Sequence, residues 1–290
     1  MSIFLQVLLT GIAMGFIYAL VGIEYTIIWN ATGLLNFSHD KFIMLSAFVF
    51  AGTYVLGLGL PEPLAILFAL ITMFLFGAFV ALVIFNPLSK YSTNLFATIG
   101  TVILGRIITE AVRLIWGPMP FGLNNFLKGT YKLGEVVIGK SLVVIIIVCS
   151  IVTLALTVFL KNTKTGKSMR AVANNKYAAS LMGINVPMNI AFTIGLSAAI
   201  CTSIGVLIVP LYNVQLSMTG MIGLKGLCAG VIGGFGYLPG AIVGGLVLGV
   251  VENMASMVLP SLYKDCISFV LLILFMLFRP SGIMGHRKDL

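Results

Sequence analysis

Five ionisable residues within or beside apolar runs could carry chemistry, and they form two groups. His39, Asp40 and Glu24 are types used in acid–base catalysis, because a histidine beside a carboxylate can exchange a proton near neutral pH. Arg106 and Glu110 lie four residues apart, so on a helix they share one face. A charge inside a membrane costs about 2.5–3.5 kcal/mol on insertion scales, so such residues usually face a cavity or each other. The sequence leaves open whether these two pair or form a polar point for a carboxylate or an ammonium group.

The remaining residues do not complete a catalytic site. The only other histidine is His286, in the C-terminal tail. The four cysteines lie in apolar runs without metal-ligand or redox spacing, and they are predicted to be small packing residues: Cys149, Cys201, Cys228 and Cys266. We therefore expect no catalytic residue and no metal site, and an intramembrane enzyme is the weakest functional hypothesis.

Apolar segments along nearly the whole chain must position these residues. Hydrophobic residues make up 60% of the 290 residues, charged residues make up 9%, and the mean hydropathy is +1.14. Since about 20 apolar residues span a bilayer as a helix, the sequence predicts an all-α polytopic membrane protein. We expect about eight to nine transmembrane segments, including short or broken helices, in one transmembrane domain over residues 1–290. The segments are predicted at 3–29, 42–60, 63–85, 95–116, 141–160, 190–211, 240–258 and 265–279, with a shorter one at 224–235.

The distribution of Lys and Arg predicts the orientation, because positively charged loops tend to stay in the cytoplasm. The loop 161–189 carries five basic residues and no acidic residue. Counting outward from this loop puts ten basic residues inside, including Lys41, Lys90, Arg279, Arg287 and Lys288. It puts five outside: Lys128, Lys132, Lys140, Lys225 and Lys264. The C-terminus is then cytoplasmic and the N-terminus is outside. The net charge of +9 fits this topology and contact with anionic lipid, and no aromatic-interleaved basic patch indicates nucleic acid.

The glycine-rich stretch 223–245 is apolar enough for a membrane but cannot be one ordinary helix, since it is interrupted by Pro239. Non-helical backbone at membrane depth survives only where it is buried in protein or lines a cavity. Paired broken segments indicate a transport path, and the polar break at 36–40 is the second such segment. The predicted path residues are Asn36, Ser38, His39, Asp40, Arg106, Gly233, Gly234 and Gly236. Close helix packing through small residues is the alternative for the glycines, and a cap or other structural role is favoured for the histidine.

The loop 161–189 has features of a partner-binding segment. Thr165 can cap the N-terminus of a helix that Gly183 ends. Small residues on one side of this helix would let it enter a groove on a partner. A loop that only sets the topology is the alternative.

Four blocks of sequence, taken in order, resemble the permeases of bacterial branched-chain amino acid ABC importers. Residues 177–185 are similar to a cytoplasmic Glu-Ala-Ala-x-x-x-Gly loop, with Tyr177 at the glutamate position, and 166–173 extend that likeness. Residues 33–39 (Gly-Leu-Leu-Asn-Phe-Ser-His) and the glycine-rich stretch resemble two further blocks. The last block comprises Tyr263-Lys264-Asp265 and Arg279-Pro280-Ser281-Gly282. The resemblance covers roughly residues 5–285.

This resemblance implies a permease subunit of an ATP-driven importer, not an enzyme, in the inner membrane of a bacterium. It implies two cytoplasmic ABC ATPases, a second permease subunit, expected to be a paralogue, and an extracytoplasmic substrate-binding protein. The ATPases would bind ATP and Mg²⁺, whereas this chain would hold no cofactor, and we expect no phosphate loop in it. The residues implied to couple transport to the ATPases are Gly166, Arg170, Ala178, Ala179 and Gly183.

Several charged residues depart from the family pattern and leave the substrate open. Asp40 and Lys41 follow His39 where the family usually has glycine and an uncharged or acidic residue, and Glu24 occupies a position that is usually glycine. The resemblance implies a branched-chain or related amino acid, and an amide or urea-like solute is the alternative. A secondary transporter with broken helices, which needs no ATPase, is the remaining hypothesis.

Overall fold

The computed structural model describes residues 2–88, 94–123, 126–133, 136–260 and 263–285, and its regular structure is almost entirely helical. The helices are α1 (Ser2–Thr32), α2 (His39–Ala47), α3 (Glu62–Val80), α4 (Asn86–Leu88), α5 (Asn94–Trp116), α6 (Lys140–Asn162), α7 (Lys164–Asn174), α8 (Lys176–Leu181), α9 (Val186–Ile208), α10 (Gly220–Gly233), α11 (Leu238–Ala255) and α12 (Lys264–Phe278). Two π-helical stretches, Phe48–Gly57 and Ala81–Phe85, continue α2 and α3. Strands β1 (Thr130–Leu133) and β2 (Val136–Gly139) form an antiparallel hairpin.

The predicted all-α polytopic membrane fold is confirmed. Among the described residues, six helices are long and apolar enough to cross a membrane: Ile3–Thr32, His39–Gly57, Glu62–Leu88, Lys140–Asn162, Val186–Ile208 and Leu238–Ala255. The other three predicted segments coincide with α5, which carries three charged residues, and with the shorter α10 and α12. Each of the nine predicted apolar segments therefore corresponds to a helix. Of the residues used to predict orientation, Lys90, Arg287 and Lys288 lie outside the described part of the chain, as does His286.

Proline and glycine mark most helix ends where the sequence predicts a break. Pro61 has an extended backbone before α3 (φ −61°, ψ 143°), and Pro63 occupies the first turn, where its missing N–H costs nothing. Gly117 has φ 85° directly after α5, a conformation that favours glycine because it lacks a β-carbon. These breaks fix the lengths of the helices on either side.

The predicted break at Asn86-Pro87 lies within two residues of the last described helical residue, since helical structure continues through Leu88. A proline inside a helix removes one backbone donor and crowds the carbonyl four residues earlier. The π-helical turn Ala81–Phe85 directly precedes this proline, and a wider turn can absorb both effects. The described helix therefore includes the proline and extends one residue beyond it.

The chain divides into two compact units, and each forms its own core. The first unit comprises residues 1–26, 124–151 and 220–290, with their described parts. In it α1 packs on α10 and α11 through small residues: a β-carbon at Gly22 would lie 3.1 Å from the Gly226 oxygen, and one at Gly249 would collide with the backbone of Gly15. Close packing through small residues replaces the hydrophobic driving force that is missing between helices in lipid.

The second unit comprises residues 27–123 and 152–219 with their described parts, and α9 lies at its centre. A β-carbon at Gly77 of α3 would lie 2.6 Å from Ala198, and one at Gly195 of α9 would lie 2.9 Å from the Phe74 oxygen. On another side, a β-carbon at Gly205 would lie 2.8 Å from the Ile43 oxygen of α2. α9 therefore packs closely on both α2 and α3.

Candidate functional site

The loop between α6 and α9 folds into two short helices rather than the single helix predicted. Thr163, not Thr165, caps α7: its backbone is extended (φ −86°, ψ 153°) and its Oγ1 accepts the Gly166 N–H at 2.9 Å. Asn175 then leaves helical conformation and caps α8 by accepting the Ala178 N–H at 3.0 Å. Gly183, with φ 81°, ends this second helix, as predicted.

Polar contacts fix this loop on the second unit. Lys176 Nζ donates to the Thr32 carbonyl at 2.6 Å, at the end of α1, where carbonyls lack helical partners and a cation is favourable. Burial of Lys176 lowers the pKa of its ammonium group below the ordinary value. Asn189 Nδ2 of α9 donates to Ser168 Oγ of α7 at 2.9 Å. Both α7 and α8 are thereby tied to transmembrane helices.

The five predicted coupling residues divide into buried and exposed positions. A β-carbon at Gly166 would lie 2.5 Å from the Phe159 oxygen, so this glycine permits close packing of α7 on the end of α6. Ala179 is buried, whereas Arg170, Ala178 and Gly183 are exposed. Gly166 and Ala179 therefore hold the loop together and present no surface to a partner.

The largest exposed surface of α8 is apolar, and sequence reasoning missed it. Tyr177, Leu181 and Met182 are 74%, 71% and 83% exposed. We call these three residues the α8 apolar surface. The sequence shows these three large apolar residues within the loop, but it does not show which of the loop's apolar residues are exposed. An exposed apolar patch of this kind indicates a contact with another protein or with the membrane.

Four of the predicted path residues lie together at the start of α2: Asn36 and Ser38 in the turn before it, and His39 and Asp40 in its first turn. Asn36 Oδ1 accepts hydrogen bonds from Ser38 N at 3.0 Å and Ser38 Oγ at 2.6 Å. His39 is buried at the first position of α2, with its Nδ1 3.8 Å from Cys201 Sγ. Asp40 pairs with the adjacent Lys41 at 2.7 Å. The two neighbouring charges that depart from the family pattern therefore compensate each other.

The glycine-rich stretch is broken, as predicted, between α10 and α11. Gly234 and Gly236 have φ of 112° and 92°. The turn packs against the chain's own tail: Met284 N donates to the Gly233 oxygen at 3.1 Å, and a β-carbon at Gly234 would lie 2.7 Å from Gly285 N. These contacts favour the packing alternative at this turn, and the path role of the three glycines stays a prediction.

A buried ionic cluster lies in the first unit, and we call Lys225, Glu252 and Asp265 the buried triad. Lys225 of α10 contacts Glu252 of α11 at 2.9 Å and Asp265 of α12 at 2.7 Å. Ser268 Oγ donates to the second oxygen of Glu252 at 3.1 Å, and the Tyr18 hydroxyl lies 3.5 Å from the first. The sequence analysis counts Lys225 among the basic residues outside, and the structure shows that this residue is buried within α10. The triad links three helices.

Of the two arrangements that the sequence leaves open for the charges of α5, the pair between Arg106 and Glu110 is not the one formed. Glu110 Oε2 instead contacts Arg113 Nη1 at 3.2 Å, one turn further along. Arg106 is exposed and has no ion-pair partner among the described residues. A β-carbon at Gly105, the residue before Arg106, would lie 3.4 Å from Ser38 Cα, so α5 packs on the turn at 36–40 at this position.

The expectation that no phosphate-loop pattern occurs is wrong, because the spacing Gly-x-x-x-x-Gly-Lys-Ser is present at 134–141. A phosphate loop is a glycine-rich loop whose backbone N–H groups surround phosphates. Here Val136–Gly139 is a paired strand and Lys140 begins the apolar helix α6. Residues 134–135 lie outside the described part. The described residues of this segment therefore do not form such a loop.

These features are those of a multi-pass membrane transport subunit: apolar helices, a broken glycine segment, and a loop of two short helices, α7 and α8, tied to the transmembrane helices. Residues 7–276 match the family model described as branched-chain amino acid transport system, permease component. The chain belongs to this branched-chain amino acid transport permease family.

Curated relatives agree with that assignment over nearly the full chain. The high-affinity branched-chain amino acid permease protein LivH of Salmonella typhimurium is 34% identical over 98% of this chain and 96% of its own length. BraD of Pseudomonas aeruginosa, named in the same way, has the same identity and coverage. A solved structure of PsaBC from Streptococcus pneumoniae in complex with Fab overlaps 96% of this chain and 92% of that chain, at a TM-score of 0.48 and 14% identity. That last similarity is too low to support an argument.

Proposed function

We propose that this chain is a permease subunit of an ATP-driven ABC importer for branched-chain amino acids. The observation that carries the proposal is the α8 apolar surface, held on a loop that Lys176 ties to the end of α1. An exposed apolar helix that is tied to the end of a transmembrane helix is suited to transmit movement of a partner to the transmembrane segments. The names of the relatives support the substrate class.

In this proposal two cytoplasmic ABC ATPases bind the α8 apolar surface and the matching surface of a second permease subunit. ATP and Mg²⁺ bind to those ATPases, so this chain acts as a transport subunit and not as an enzyme. An extracytoplasmic binding protein delivers the amino acid. The chain lies in the bacterial inner membrane with its N-terminus outside and its C-terminus in the cytoplasm.

A substitution in the α8 apolar surface tests whether this surface binds the ATPase. Leu181→Asp places a charge in the α8 apolar surface, which should lower the amount of co-purified ATPase and the rate of ATP-dependent leucine uptake by about tenfold or more, as loss of a central apolar contact does. Asn174→Asp introduces the same charge at an exposed position of α7 and should behave like wild type. Normal ATPase binding and uptake in Leu181→Asp would contradict the assignment. Uptake by wild type that continues without ATP would favour a secondary transporter.

The orientation is tested by cysteine labelling in a background without native cysteines. Asn174→Cys should react with an impermeant maleimide only from the cytoplasmic side, and Lys128→Cys only from outside. Both positions are exposed. The opposite labelling pattern would reverse the proposed topology.

A further inference from the structure

One face of α5 is exposed along its length and combines apolar side chains with charge. Its residues recur at intervals of three and four, so they align along the helix. We call this face the α5 stripe: Ile99, Ile103, Arg106, Glu110 and Arg113. All five are exposed, whereas Leu104, Ile108 and Val112 on the opposite face are buried.

Arg106 lies near the middle of the membrane if α5 crosses it. It is 12 residues from the start of α5 and 10 from its end, which at the helical rise is roughly 18 and 15 Å. The hydrocarbon core of a bilayer is about 30 Å thick. An arginine near a helix end can extend to the interface, but from this depth the side chain is too short to do so.

The α5 stripe is therefore expected to face water or another protein and not lipid. Charged residues within transmembrane segments almost always face a water-filled cavity or a partner. Glu110 is neutralised by Arg113 at 3.2 Å, so the guanidinium of Arg106 supplies the uncompensated charge of the stripe. A positive centre of this kind attracts an anionic group.

We propose that the α5 stripe lines the water-filled route through the assembled permease and that Arg106 binds the carboxylate of the amino acid in transit. This inference rests on the proposed function. A guanidinium matches a carboxylate with two parallel N–H donors. Ile103 is one turn from Arg106 and Ile99 is two turns away, so both offer apolar surface beside the charge. A carboxylate joined to an apolar branched side chain fits this pattern, whereas a neutral amide or urea would leave the arginine without a counter-ion.

Reactivity of introduced cysteines tests whether the stripe faces water. Arg106→Cys and Ile103→Cys are made in a chain without native cysteines, assembled with its partners, and exposed to the anionic reagent methanethiosulfonate ethylsulfonate. Both should be modified, and leucine with its binding protein should slow modification at position 106. Leu104→Cys, at a buried position, and Leu75→Cys, exposed on the apolar helix α3, are matched controls that should not react. An assembled complex with an unreactive Arg106→Cys would overturn the proposal.

Uptake measurements test the carboxylate contact itself. Arg106→Gln should lower ATP-dependent leucine uptake by about tenfold or more at an unchanged amount of complex, since a charge-assisted hydrogen bond is lost. Arg106→Lys should recover part of the rate because it keeps the positive charge. Loss of assembly in Arg106→Gln would mean that the arginine pairs with an acid of the second subunit, and normal uptake would mean that it binds no carboxylate. Either result overturns the assignment.

The two proposals fail in different ways. If the wild-type complex takes up no leucine, the proposed function is wrong, and the carboxylate assignment falls with it. Cysteine reactivity then still decides whether the stripe lines a water-filled route.

Discussion

Two regions of this chain place charge within apolar helices, and they do so in opposite ways. In the buried triad, Lys225 contacts Glu252 at 2.9 Å and Asp265 at 2.7 Å, and the first two residues are almost fully buried. On the α5 stripe, Arg106 is exposed and has no ion-pair partner among the described residues. We infer from this comparison that pairing and burial, more than the presence of a charge in a membrane segment, distinguish a charge that holds helices together from one that can bind a substrate.

The buried triad is suited to a structural role because most of its bonding capacity is used internally. Glu252 also receives a hydrogen bond from Ser268 Oγ at 3.1 Å, and Tyr18 lies beside the same pair. Desolvation makes a buried ion pair a weak source of net stability, but removing one partner leaves an uncompensated charge. The triad therefore makes α10, α11 and α12 interdependent.

The largest effect on stability is expected from Glu252→Ala. It leaves buried Lys225 with only the half-exposed Asp265, and breaking a buried pair typically costs about 3–5 kcal/mol. The measurement is the thermal unfolding midpoint of the detergent-solubilised complex. The double variant Lys225→Met with Glu252→Met, which removes both charges, should be less destabilised than Glu252→Ala alone. If the single and double variants are equally stable, the triad is not a coupled unit.

A smaller effect on stability is expected from Gly234→Val. This variant tests whether the glycine turn has a structural role, like the buried triad, or a role in the transport path, like the one proposed for the α5 stripe. A non-glycine residue at φ 112° costs about 1–3 kcal/mol, and its β-carbon would lie 2.7 Å from Gly285 N. We expect less folded protein, with near-normal uptake by the complexes that remain. The measurement is uptake per assembled complex. A full amount of complex with blocked uptake would instead place the turn on the path, as the sequence pattern predicts.

The smallest effect on stability is expected from Arg113→Gln. Its pair with Glu110 joins two side chains that are 54% and 58% exposed, and exposed pairs three residues apart contribute less than about 0.5 kcal/mol. The unfolding midpoint should therefore change little. A loss comparable to that of Glu252→Ala would show that this face is buried and would remove the contrast between the two regions.

Much of the fold could be predicted because it depends on local composition. Each of the nine segments predicted from hydropathy corresponds to a helix. The positive φ angles at Gly117, Gly183 and Gly234 confirm that glycine ends or breaks helices at these positions. The helical structure that includes Pro87 has a physical reason: whether a proline ends a helix or follows a π-helical turn depends on the surrounding packing.

The candidate sites could be predicted only in part, because they depend on contacts between distant residues. The sequence counts Lys225 only as one of the outside lysines, because its ion pairs with Glu252 and Asp265, 27 and 40 residues further along the chain, are set by the fold. The partner of Glu110 could not be chosen from spacing, since Arg106 and Arg113 are both one helical turn away. The α8 apolar surface required knowing which side of a six-residue helix faces outward.

The most direct test concerns the contrast between a structural charge in the buried triad and a substrate-binding charge on the α5 stripe. It compares Arg106→Gln with Glu252→Ala in one assay of leucine uptake per assembled complex. We expect Arg106→Gln to assemble like wild type and to transport about tenfold more slowly or worse, because a charge-assisted contact with the substrate is lost. We expect Glu252→Ala to yield less complex, each copy of which transports nearly normally. If Arg106→Gln loses assembly while Glu252→Ala assembles fully and transports poorly, the roles assigned to the two regions are reversed and the account is wrong.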